Sequence, residues 1–326
     1  MRTRMTRSFF GAAMPLPQRM VLLFLLVVSV VVQPAAARVV RIKIDNREVV
    51  AEGKSYGLPG PYERIYGTIS FAVDPELPVN RIITDIDRAP RNVGGAVEFA
   101  ADFYLLKPRE ISRGNGALLY EASNRGVKAI LTYFNLAPLG TPSPASAEDL
   151  GDGFLMREGY TVLWLGWQFD PVPGKLRLYP PQARGDNGPL RGLARSDFVV
   201  AARVVHHSLA HPNHIAYPVA DPLARENTLT VRDGVTAPRT AIPRSRWRFA
   251  RVVGQSPVPD PTHVYMEDGF EPGKIYEVVY VAQDPPLVGL GLAAVRDAVS
   301  HLKHEGAGEF TIPTGSIRRA LSWGSS

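Results

Sequence analysis

Arg319-Ala320-Leu321-Ser322-Trp323-Gly324-Ser325-Ser326 is the stretch on which the reading of this chain turns. It reads as a short hydrophobic strand running into Gly-x-Ser, the opening of the nucleophile-elbow pattern Gly-x-Ser-x-Gly. In that pattern a serine sits on a tight strand-to-helix turn with its hydroxyl exposed at the end of a sheet. Ser326 is therefore the candidate nucleophile. Three positions of the five-residue pattern match, and Gly-x-Ser alone is common, so its weight depends on what precedes it.

Working back from this stretch, residues 290–305 give the strongest helical pattern in the chain. Val295, Val299 and Leu302 recur at helical spacing beside Leu290, Ala294 and Ala298, while Arg296, Asp297, Ser300 and Lys303 take the other side. Gly306 and Gly308 close it. Ile275–Ala282 before the helix and Tyr160–Trp167 further upstream are apolar runs that read as strands; the second is of the kind buried on both faces of a parallel sheet. A helix end over 153–158 stopped by Gly159, preceded by the strand 117–121, completes a strand-helix-strand unit. The turn after 117–121 contains Asn124, Arg125 and Gly126, where a second oxyanion-hole amide is placed in elbow-type enzymes, so these three are the candidate oxyanion loop. An ordinary turn closed by Gly126 is the competing reading.

Residues 38–115 read as a β-rich section. Val40–Ile44 alternates apolar and charged residues, Gly57–Pro61 is a turn, and 65–73, 82–86 and 97–106 read as strands. Residues 170–273 are rich in Pro and Gly and too long for a plain loop, and read as a β-rich insertion with strand-like runs at 198–205, 228–231 and 247–253. The expected layout is 1–37 leader, 38–115 β-rich section, 116–169 first strand-helix-strand unit, 170–273 insertion, and 274–326 strand, helix and strand leading to the elbow.

The formal net charge of +6 suggests a polyanionic partner until it is located. Arg2, Arg4, Arg7 and Arg19 lie in residues 1–37, which hold no acid, and the remainder is nearly neutral with signs interspersed. No nucleic-acid partner is expected. The same arginines precede the apolar run 21–32 and the small-residue site Ala35-Ala36-Ala37, the pattern of a secretory signal peptide cleaved after Ala37. A start at Met14 or Met20 would give it a more usual length. Export to the periplasm or the medium is expected, with no membrane partner after cleavage; uncleaved, the run would act as an anchor. With 0 cysteines there are neither disulfides nor thiolate chemistry.

Other chemistry-bearing groups read as ordinary structure. His206, His207, His211 and His214 cluster, but Pro212 and Asn213 break any helix that would align them, and no His-Glu-x-x-His occurs, so no metal is expected. Asp85 with Asp87 and Glu148 with Asp149 read as solvated turns. Gly289-Leu290-Gly291 lacks the third glycine of a dinucleotide fingerprint and the Lys-Ser/Thr of a phosphate loop, so no cofactor is expected. The four tryptophans read as core or pocket wall.

Several segments carry a family resemblance. Gly60-Pro61-Tyr62-Glu63-Arg64, Leu119-Tyr120-Glu121 with Asn124-Arg125-Gly126, and Gly153–Tyr160 resemble the large bacterial α/β-hydrolase-domain proteins of poorly known substrate. So do Trp164–Asp170, Gly269-Phe270 with Pro272-Gly273, Tyr276-Glu277 and Gly289–Asp297, in order from about Arg38 to the last residue. In that family the elbow continues past Gly-x-Ser with Gln-Ser-Gly-Arg, and its first serine aligns with Ser326. Ser123 departs from the Asn expected before Asn124. The resemblance implies an α/β fold, the N-terminal portion of an α/β-hydrolase with a mostly parallel sheet. It also implies a serine esterase acting on a small-molecule, ester-type substrate, with the acid and histidine lying beyond residue 326. Residues 38–326 alone would then lack a complete triad and be inactive and poorly stable. The contrasting expectation is a secreted β-rich binding protein in which Gly324-Ser325-Ser326 has no role.

Overall fold

The structure, a computed structural model, describes residues 38–325. The signal-peptide pattern in 1–37 and Ser326 lie outside the described residues. Five strands lie side by side in the main sheet: β1 (Arg38–Val49), β2 (Tyr62–Val73), β3 (Val97–Pro108), β4 (Ala117–Ala122) and β5 (Thr161–Leu165). Between β4 and β5 lie α1 (Ile130–Asn135) and α2 (Phe154–Arg157). The insertion contributes β6 (Arg191–Phe198), β7 (Val204–Ser208), β8 (Thr228–Arg232) and β9 (His263–Phe270). β10 (Ile275–Gln283), α3 (Leu290–Ser300) and β11 (Arg319–Gly324) follow.

The main sheet runs β1-β2-β3-β5-β4-β11, with a short strand at Leu178–Tyr179 also paired to β3. β1, β2 and β3 join through antiparallel pairings, and β3 also meets β5 antiparallel. Only β5 with β4 and β4 with β11 are parallel among the described residues. The remaining sheets are antiparallel throughout: 240–241-β8-β10-β6, β7-β9-247–248, and two small hairpins. Strand accounts for 39% of the structure against 17% helix, so the expected mostly parallel α/β-hydrolase sheet is contradicted. The physical reason lies in the connections. Parallel neighbours need a long crossover, usually covered by a helix, whereas short Gly- and Pro-rich turns return the chain antiparallel. Here helices are few and short, and turns such as Gly57–Gly60 and Asn92–Gly95 recur.

Two apolar layers flank the main sheet. On one face Ile65, Ile69, Phe103 and Leu163 pack with Leu290, Ala294, Ala298 and Leu302 of the helical segment and with Phe310. On the other, Tyr104, Leu119, Val162 and Trp164 pack beneath Ile130 and Leu131 of α1 and Leu155 and Met156 of α2. A third cluster, including Phe198, Trp247, Phe270 and Tyr276, belongs to the insertion sheets.

Some elements differ from the sequence reading. Residues 82–86 are not a strand. Pro78 opens a helical turn at Pro78–Arg81, and Ile83 and Ile86, three apart, are buried while Ile82 is exposed. β10 pairs with β6 and β8 in an insertion sheet and not with the strands that lead to the elbow. The long helix keeps α-geometry to Ser300, then widens to a π-turn over His301–Glu305. Asp297, assigned to its polar side, is buried and accepts from Arg296 Nε at 2.7 Å.

Candidate functional site

β5, β4 and β11 run parallel and end at the same edge of the main sheet. Glu121 lies opposite Trp164 on one side and Trp323 on the other, and Ala122 lies opposite Gly324. The segments that leave this edge are 123–126, 166–170 and, after Gly324, Ser325. Crevices outside the carboxyl ends of parallel strands are where side chains from separate connections converge, because each strand delivers its loop to the same side.

The turn Asn124–Gly126 is held by named contacts. Arg125 adopts a left-handed backbone, φ 47° and ψ 43°. Its amide donates to Gln168 Oε1 at 2.8 Å. The Ser123 carbonyl accepts from Trp167 Nε1 at 2.8 Å. Gly126, at φ +70°, lies where a Cβ would meet Leu176 O at 2.5 Å, so only glycine lets the two backbones approach. The sequence expectation therefore finds its three residues on one tight turn at the strand edge, but Arg125 has its amide engaged by Gln168.

Beneath the turn is a buried ionic group. Glu121 is 1% exposed, and its carboxylate accepts from the amides of Ala129 (2.8 Å) and Ile130 (2.9 Å) and from the Trp164 indole. It thereby satisfies the first amides of α1. Lys128 sits above the Tyr104 ring, 4.7 Å from its centroid, and donates to the Pro142 carbonyl. Burial pushes the Lys128 ammonium down to about 8, against the opposing pull of Glu121. The sign of the stability effect follows. Below about pH 8 the lysine is charged in both the folded and unfolded chain, and the burial penalty is present in full. Between there and its ordinary value of 10.5 the folded chain has released the proton and the unfolded chain has not, so the penalty fades as pH rises. The unfolding free energy of the wild type relative to Lys128→Met is expected to rise by on the order of 3 kcal/mol across that window. Urea titrations of both proteins at several pH values check it, and a flat difference would contradict the assignment.

A cavity of about 490 Å³ opens beside the turn, lined in part by Asn124, Arg125, Lys175, His211, Asn213 and His214. Arg125 Nε donates to His214 Nε2 at 2.9 Å and lies 3.2 Å from Asp170 Oδ2. Because Nε2 accepts, His214 is neutral here and carries its proton on Nδ1, 3.8 Å from the same Asp170 oxygen. Burial, then the neighbouring Arg125 charge, hold the His214 imidazole below its usual range. Ile215 N donates to Asp170 O at 2.8 Å, which seats the 211–215 turn against the segment following β5.

Other candidates fall elsewhere. His206 and His207 lie on β7; the His206 ring is 5.9 Å from His263, and His207 stacks on Phe198 at 4.0 Å. The His211 and His214 rings stand 5.0 Å apart, and among the described residues no group of three or more His, Cys, Asp or Glu could hold a metal. Asp85 precedes a 3-10 turn, and Asp149 accepts from the amides of Ala145 and Ser146. Gly289 and Gly291 abut Ile83 and the Trp167 carbonyl, a helix-packing role. Trp164 and Trp247 are core, and Trp323 packs against Tyr133 and Phe134. Sequence reasoning quoted Glu121, Gln168 and Asp170 only within motifs, without a role for any of them, and passed over Lys175. The signal for two of them was present: Gln168 and Asp170 are the polar residues directly after a buried strand, where sites of this kind are built.

Comparison of the chain with protein-family models, with curated proteins and with solved structures gives no match.

Proposed function

We propose that the chain carries the nucleophile edge of a serine hydrolase acting on an ester-type bond, with Ser326 as nucleophile. The observation that supports this is register. Gly324 lies opposite Ala122, so the chain leaving β11 emerges on the edge where Asn124–Gly126 and the cavity lie. The cleft beside that edge is lined in part by Asn124, Arg125, Lys175 and His214, and the turn's amides other than that of Arg125 are the candidate donors to an oxyanion. The family resemblance of the quoted motifs points the same way, and the leader pattern in residues 1–37 supports export. Among the described residues no helix is long and apolar enough to cross a membrane.

In the protein as its host makes it, Ser326→Ala is expected to lower turnover of p-nitrophenyl acetate by about a thousandfold or more. Unchanged turnover would remove Ser326 from the mechanism. The predominance of antiparallel sheet favours a second reading, a secreted β-rich binding protein, which expects no serine-dependent turnover at all.

A further inference from the structure

We infer that the cavity beside the 123–126 turn is a carboxylate site, so that the substrate carries an anionic carboxylate as well as the bond to be cleaved. The carboxylate site stands on the geometry of the cleft; its being a substrate site rests on the serine-hydrolase reading.

Arg125 is fastened by one end of its guanidinium. Its Nε is held between His214 Nε2 and Asp170 Oδ2, and neither of its terminal amino groups makes a hydrogen bond among the described residues. An arginine fixed in this way presents a planar, two-pronged donor pair, which matches the two oxygens of a carboxylate. The backbone beneath is fixed as well, in a left-handed conformation and bonded through its amide to Gln168. Holding a binding group in place before the ligand arrives lowers the ordering cost of binding.

Lys175 lines the same cavity and is half-buried, and its ammonium has no carboxylate or hydrogen-bond partner among the described residues. It is close enough to Lys128 for the two charges to repel. At the cleft Arg125 and Lys175 stand against Asp170, with His214 neutral, while the buried Lys128 and Glu121 beneath it offset each other. One negative charge is missing. A singly charged carboxylate balances the site, whereas a doubly charged phosphate would exceed it. Asn124 and Asn213 add neutral donors on the same lining, and about 490 Å³ is room for a small molecule, not only an ion.

The test is calorimetric titration of the full chain bearing Ser326→Ala, which reports binding without turnover, so a failed hydrolase reading leaves its result interpretable. Monomethyl glutarate, which has one ester and one carboxylate, is compared with neutral dimethyl glutarate and with inorganic phosphate at low salt. The half-ester is expected to bind about tenfold or more tightly than the diester. That preference should fall below about threefold in Arg125→Gln and in Lys175→Gln, and should be partly restored in Arg125→Lys, which keeps the charge but loses the fork. Melting curves matching the parent chain show that the variants are folded. Equal binding of half-ester and diester, no binding of the half-ester, a preference that survives both glutamine substitutions, or tighter binding of phosphate would each overturn the inference.

Discussion

Glu121→Ala lowers the unfolding free energy by about 4 kcal/mol, the largest loss expected from any single side chain near the site. The residue is almost wholly buried, and its carboxylate is the acceptor for two backbone amides and one indole N–H. Alanine removes all three acceptor contacts at once and leaves three buried N–H donors to be satisfied. An unpaired buried donor costs about 1–3 kcal/mol, so even partial relaxation leaves a large deficit. Glu121→Gln keeps one acceptor oxygen but turns an amide donor toward the other N–H groups, and should cost about half as much. Glu148→Ala, an exposed carboxylate on the neighbouring turn, should stay within about 0.5 kcal/mol of wild type. Denaturant midpoints rank the three variants. Hydrogen exchange at the amides of Ala129 and Ile130 should accelerate in Glu121→Ala beyond the global change, because those amides lose their own acceptor.

Gly291→Ala is expected to destabilise by about 3 kcal/mol, reversing the usual gain of about 0.5–1 kcal/mol when alanine replaces glycine in a helix. A Cβ on Gly291 would lie 1.8 Å from the Trp167 carbonyl oxygen and 2.8 Å from its carbon, so either α3 or the 166–170 segment must move. That segment supplies Gln168 to the Arg125 amide and Asp170 to its guanidinium. Stability and the carboxylate preference of the cleft should therefore fall together in this variant. Leu292→Ala, one position along on the exposed side of the same helix, should change neither by a comparable amount. A Gly291→Ala chain with wild-type stability would show that α3 does not seat the 166–170 segment.

The parts of this architecture legible in the sequence are those governed by local pattern. Strict alternation over 40–44 and the β-branched, aromatic run over 65–73 gave strands, because period-two burial leaves a direct mark. The nearly all-apolar 161–165 stretch lies at the sheet interior and is wholly buried. What failed was inference from strand order to sheet direction. A buried apolar strand is compatible with neighbours of either direction, and β5 has one of each, β3 antiparallel and β4 parallel. β10 shows the same limit, since its apolar pattern cannot say which sheet receives it. Residues 82–86 misled because Ile82, Thr84 and Ile86 alternate as in a strand, whereas the buried pair, Ile83 and Ile86, stands at helical-turn spacing.

Asn124, Arg125 and Gly126 were singled out from their position after an apolar run, and they form a tight turn. The setting of the Arg125 side chain was not legible. It depends on Asp170 and His214, which are distant in sequence and meet it only because the insertion folds back over the strand edge. Of the four clustered histidines, His206 and His207 lie on β7, while the rings of His211 and His214 stand 5.0 Å apart on the turn that follows.

The central claim, that a serine after Gly324 is the nucleophile at this edge, is tested most directly by labelling the protein made by its host with a fluorophosphonate and sequencing the modified peptide. Label on Ser326, within the fragment that begins at Ala320, and its loss in Ser326→Ala are the predicted result. Label on another residue, or none under conditions in which the protein turns over an ester, would contradict it.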